Sequence, residues 1–216
     1  VAGNFDVDKT LEICDELLKP SEDHGLQVIV PDEPLTVHEK RNVQKLSCAI
    51  PLFNIGWKFP AYSGKEQLEK YIVYNILMEL CLGKTSDFYN RMYEDGLLND
   101  AFNVGVFCGR GFFSVIADGE STDPDKVLSE IEKELFRLRK EGLDEDEFIT
   151  IRNKTYGELV AGFNNVESVA NAMIAQEIND VGIYDGIEIT ANTTFADIKS
   201  ALDDFDIENN SISIIE

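Results

Sequence analysis

Few side chains in this sequence are placed to do chemistry by themselves. The histidines are His24 and His38. Neither has a carboxylate or a second histidine at helical spacing, so the H-E-x-x-H and H-x-x-E-H zinc patterns are absent. The cysteines are Cys14, Cys48, Cys81 and Cys108. None forms a C-x-x-C pair, and neither histidine is placed to activate a thiolate. There is no G-x-S-x-G elbow and no G-x-x-x-x-G-K-[ST] loop. The glycine-rich "GVFCGRG" (105–111) lies in a predicted hairpin and not between a strand and a helix, which argues against a phosphate cradle. Asp118, Glu120, Asp123 and Asp125 cluster without the spacing of a calcium loop, and read as a solvated turn that complements a helix dipole. The chain is therefore expected to hold no catalytic residue, no metal ligand and no cofactor of its own, and to be inactive alone.

One stretch still has binding capacity: "KTSDFYNRMYEDGLLND", residues 84–100. It offers a guanidinium at Arg91, a phenol at Tyr93 and an amide at Asn99, all able to bond a peptide backbone. In the plainer reading, Tyr89 and Met92 pack a short helix under a sheet, with Gly96 as its stop.

Composition narrows the partners. Lys and Arg number 19 against 41 Asp and Glu, a formal charge of −22. Phosphate backbones and anionic lipid surfaces would be repelled, so neither nucleic acid nor membrane is expected. Basic peptides would be attracted, although solubility alone also accounts for such a charge. No run of 18 apolar residues occurs. The opening "VAGNFDVDKT" has no charged n-region or apolar h-region, and it lacks Met, so the chain reads as a fragment or a processed form. Cysteines outside C-x-x-C pairs and in apolar surroundings suggest a reducing, cytoplasmic compartment. Sequons at Asn153, Asn192 and Asn209 carry little weight without a signal peptide.

The elements follow from period and punctuation. "VAGNFD" reads as a strand end and turn. Asp6 or Asp8 then caps a helix bearing Leu11, Ile13, Cys14, Leu17 and Leu18, stopped by Pro20. Residues 21–45 read as a linker with one short strand, Gln27–Val30. Residues 47–60 read as a strand despite Pro51. Residues 65–82 place Leu68, Tyr71, Ile72, Ile76 and Leu80 on a 3.6-residue period ended by Gly83. A second helix runs from Ser86 to Asp95, and residues 101–118 form a hairpin about Gly-Arg-Gly. Asp123, Pro124 and Gly142 bracket a helix, and Asp144 with Glu147 opens another. Helices at about 166–178 and from Thr194 follow, then a closing strand in "SISIIE". Hairpins and blocks of helices that do not alternate predict an α+β fold, an antiparallel sheet with helices packed on one face. The expected division is the end of a preceding domain (1–20), the linker, and one domain over 46–216.

The order "YIVYNILMELCLGKTSDFYNRMYEDGLLNDAF" resembles the non-catalytic domain of the pitrilysin/insulinase-like zinc peptidases, which include the mitochondrial processing peptidases. The apolar helix, Gly83, Ser86, the aromatic step Phe88-Tyr89 and Gly96-Leu97 carry the likeness. The later elements fall in family order, so the resemblance covers nearly the whole chain. It implies a two-layer sandwich that serves as the inactive half of a zinc endopeptidase. The zinc would belong to a missing N-terminal half, in the same polypeptide or in a paired subunit. A catalytically inert peptide-binding or structural subunit is the alternative. The family's substrate-holding Arg and Tyr positions fall here on Tyr93 and Asn99, a departure that points to a variant bacterial branch. A sheet edge meant for the missing half leaves room for a homodimer.

Overall fold

The computed structural model describes residues 1–19, 22, 24, 25, 27, 29, 30 and 34–216. Helix α1 (Val7–Leu17) begins at Asp6, whose side chain accepts from Lys9 N at 3.1 Å. No strand forms over residues 1–6, where one was expected; the strands of the sheet all lie between Arg41 and Ile215. Pro20, the expected stop, lies outside the described residues, and α1 already ends at Leu17. The expected strand Gln27–Val30 includes Val28, also outside them; Gln27, Ile29 and Val30 are not in a strand. The strand of this connector is instead β1 (Arg41–Gln44).

The sheet order is β1-β5-β2-β4-β3, with β2 at Leu52–Phe59, β3 at Asn103–Gly109, β4 at Phe112–Glu120 and β5 at Asn210–Ile215. The pairings β5–β2, β2–β4 and β4–β3 are antiparallel, as expected; β1 joins β5 in parallel. Pro51 stands one residue before β2, where its missing N–H costs the ladder nothing.

Strand period divides the faces. Phe53, Ile55, Trp57 and Phe59 of β2, Phe113, Val115 and Ala117 of β4, and Ile212 and Ile214 of β5 are buried on one face. Helices α2 (Gly64–Leu82), α4 (Pro124–Glu141), α5 (Glu145–Gly162), α7 (Asp185–Asn192) and α8 (Phe195–Asp204) form the layer associated with that core. From Ile76 to Leu82 α2 is buried nearly all round, as befits a helix covered by both the sheet and other helices. Tyr71, expected on its core stripe, is exposed. Phe59, Tyr74, Phe113 and Phe205 meet with ring centroids 4.7–6.1 Å apart. Beside them, Trp57 Nε1 donates to Ile207 O at 3.0 Å, so the indole is buried without an orphaned donor.

The expected caps form. Asp123, Asp144 and Thr194 each accept from a backbone N–H three residues on, and Thr194 with Asp197 completes a capping box. Arg139 ties α4 to α8 by donating to the carbonyl of Leu202, which also accepts from Phe205 N, and to the carbonyl of Phe205 at the α8 terminus.

Candidate functional site

Among the described residues, the helices that pack on the sheet lie on the face of the buried core, and the other face is partly exposed. On the other, register sets cross-strand rows. Ser213, Asn54, Asp118 and Asn103 form one row; Lys58, Ser114 and Phe107 form another. Leu52 pairs with Glu120 at the end of β4. The face is thus polar and acidic at one end and aromatic at the other, where Phe107 and Phe112 sit with ring centroids 5.1 Å apart. Burial raises the Asp118 carboxyl above its ordinary range.

A groove of about 790 Å³ opens beside the aromatic end, between the connector and the sheet. Leu35 and Val37 line one side; Lys58, Phe112, Ser114 and Ser211 line the other. Asn209 fixes this wall: its Nδ2 donates to Leu35 O at 2.9 Å and its Oδ1 accepts from Val37 N at 3.3 Å. Ser211 Oγ donates to Glu39 O at 2.6 Å, extending the clamp.

The stretch 84–100 folds as helix α3 (Asp87–Glu94), capped by Ser86 Oγ accepting from Tyr89 N at 3.1 Å. Phe88, Tyr89 and Met92 are buried, so the helix packs into the core as the plainer reading required. Gly96, at φ +69°, ends it by the left-handed turn that glycine adopts without strain, and the N–H groups of Leu97 and Leu98 return to Met92 O.

The three candidate residues have different surroundings. Arg91 Nη2 pairs with Glu134 Oε2 at 3.0 Å. Tyr93 is 50% exposed, with its ring 5.8 Å from that of Tyr89. Asn99 Nδ2 donates to Glu120 Oε2 at 2.9 Å, and its Oδ1 accepts from Ala101 N at 2.9 Å. Tyr89, read from sequence only as core, is the residue that connects Tyr93 with Asn99. Its hydroxyl lies 3.3 Å from Asn99 O and 3.4 Å from Asp100 Oδ1. Desolvation, and then the Asp100 carboxylate, push this phenol up, so it remains a donor at neutral pH. Through Glu120 the loop reaches the acidic end of the bare sheet face. The alternation in "FFSVIADGE" was the signal for that face.

The donor set does not fit a zinc ion. Among the described residues no group of three or more His, Cys, Asp or Glu is placed to hold a metal.

The fold, a five-stranded mixed sheet packed with helices, matches that of M16-like peptidases of known structure. A putative M16-like peptidase from Alicyclobacillus acidocaldarius superimposes with a TM-score of 0.88 at 21% identity, covering 98% of this chain and 52% of that one. The inactive peptidase domain of a putative zinc protease from Bordetella parapertussis matches at 0.63 and 13% identity, covering 79% of this chain and 92% of that one. Residues 1–155 match the family described as the Peptidase M16 inactive domain, and the chain belongs to that family. Its sequence is 26% identical over 163 residues to the "uncharacterized zinc protease YmfH" of Bacillus subtilis, covering 76% of this chain and 37% of that protein. The chain thus spans about half, or less, of the length of these longer relatives.

Proposed function

We propose that this domain is the non-catalytic half of a two-half zinc metalloendopeptidase, and that its bare sheet face is the wall of the substrate chamber opposite the zinc-bearing half. The observation that carries the reading is the asymmetry of the sheet: one face is packed by helices, and the other presents a polar surface with a groove beside it. A surface with Asp118 and Glu120 at one end, in a chain of charge −22, attracts basic peptides. The exposed aromatics at the other end offer apolar contact. Tyr93 is the candidate best placed to bond a peptide backbone, because Asn99 would first have to release Glu120 and Arg91 would have to release Glu134. A neutral phenol there gives a weaker bond than the family's guanidinium.

The test is zinc-dependent peptide cleavage by this chain alone and after mixing with the zinc-bearing polypeptide. Cleavage only in the mixture is the expected outcome, with Tyr93→Ala raising KM more than it lowers kcat. Zinc-dependent cleavage by the chain alone would sink the proposal. Peptide binding without cleavage in either sample would favour an inert peptide-binding subunit.

A further inference from the structure

Neither backbone conformation nor packing explains Gly56. It lies in the middle of β2, and its φ is outside the positive range that favours glycine. A Cβ built on it would meet no described atom within 4 Å. Gly119 of β4 differs, because a Cβ there would come within 3.1 Å of the Phe102 backbone. Glycine weakens a strand interior, and often marks a place where a ligand or another backbone comes close. On the bare face Gly56 stands in a cross-strand row with Ser211, Ile116 and Gly105. It lines the groove of about 790 Å³ beside Leu35, Val37 and Phe112. A side chain at this position would rise into that groove.

The rest of the face defines the occupant. Leu35 and Phe112 are 51 and 40% exposed, so apolar surface laid between them is favoured. Asp118 stands two residues along β4 from Ile116, the partner of Gly56, and Glu120 two further on. At the rise of a strand these carboxylates lie about 7 and 13 Å from the groove floor. Glu120 already accepts from Asn99. Asp118 is raised by burial, and no cation among the described residues offsets that. A Lys or Arg side chain would supply the missing charge. Side chains of an extended peptide return to the same side every second residue. An apolar side chain in the groove therefore brings the residue two positions away to Asp118. A second copy of this chain is the poorer occupant, because it would bring another charge of −22.

We infer that the groove over Gly56 is a specificity pocket for a large apolar side chain of an extended peptide, and that Asp118 takes a Lys or Arg two positions away. The inference rests on the proposed function for the peptide nature of the ligand, but its test reads binding by this chain and not cleavage.

Binding of short fluorescein-labelled peptides is measured by anisotropy, with sedimentation velocity reporting self-association. The probe carries one phenylalanine and one lysine two positions apart in a glycine-serine background. Gly56→Ile should weaken its binding at least about tenfold, the scale of losing an anchor pocket, and Gly56→Ala by less. Neither change should lower the melting temperature, because the backbone there is ordinary and the space above it open. Asp118→Asn should erase the preference for lysine over glutamine in the probe, a factor of up to about five. Moving the lysine three positions from the phenylalanine, to the opposite side of an extended peptide, should erase it too. Ile174→Ser on helix α6 (Val166–Ile178), at a position 58% exposed, is the control for non-specific apolar binding and should change nothing. Undiminished binding by folded Gly56→Ile overturns the inference, as does failure of the unaltered chain to bind the probe, or a homodimer that Gly56→Ile dissolves. Binding lost in Gly56→Ile, with no cleavage after mixing with the zinc-bearing polypeptide, would leave the pocket standing and count against the peptidase reading. Zinc-dependent cleavage in the mixture with KM unchanged by Gly56→Ile would do the reverse.

Discussion

Glu134 is 4% exposed and accepts from Arg137 at 2.6 Å and from Arg91 at 3.0 Å. Burial pushes its carboxyl up, but the Arg137 and Arg91 hydrogen bonds outweigh that and hold it below its ordinary 4.5. A carboxyl depressed in the folded state adds stability above its unfolded value, and loses that contribution as the pH falls through the folded one. Glu134→Ala should therefore cost about 2–3 kcal/mol in urea unfolding at neutral pH, near the lower end for breaking a buried pair because both guanidiniums are partly solvated. The cost should shrink in acid below the carboxylate range. Asp118 has the opposite sign: its carboxyl is raised, so Asp118→Asn should stabilise the fold at pH 7, with the gain disappearing below that range. The thiols give a third test. Cys48 is exposed, whereas Cys81 is fully buried with its thiol pushed up by desolvation. A thiol reagent should modify Cys48 in the native protein and reach Cys81 only on unfolding, which mass spectrometry of quenched samples would show.

At the scale of elements, the turn at Gly96 decides where α3 ends and where the Asn99 loop begins. Gly96→Ala forces a Cβ into the left-handed region and should cost about 1–2 kcal/mol in the same unfolding assay. This terminus was legible from sequence because glycine, the preceding helical period and the apolar re-entry at Leu97 all agreed. The same agreement located α2, the hairpin, α4, α5 and α8, each marked by a cap or a glycine within a residue or two of its observed end. Helix α7 escaped because its N-cap is Tyr184, which makes no side-chain cap bond, and because eight residues give the period little room. Strand β1 escaped for a different reason. "RNVQ" has no strand pattern of its own, and its pairing with β5 is a long-range parallel contact that no local rule reports. The candidate site was only half legible. Arg91, Tyr93 and Asn99 stood out by residue type, but Tyr89, whose hydroxyl reaches the Asn99 turn, looked like any core aromatic.

For the molecule as a whole, a charge of −22 on 216 residues means that folding gathers like charges together. Added sodium chloride should screen that repulsion and raise the melting temperature by about 2–4 °C, the shift that roughly 1 kcal/mol gives in a domain of this size. Scanning calorimetry at low and moderate ionic strength would show it, and a flat response would mean that the carboxylates are already locally compensated.

The sheet order also governs the timing of synthesis. Strand β5, Asn210–Ile215, lies between β1 and β2, where it pairs with both. During translation Leu52–Trp57 must wait for residues made more than a hundred positions later, and until then the nascent β2 offers an open hydrogen-bonding edge carrying Phe53, Ile55 and Trp57. A ribosome that stalls before Asn210 would release a chain with that edge unprotected, a template for pairing with other chains.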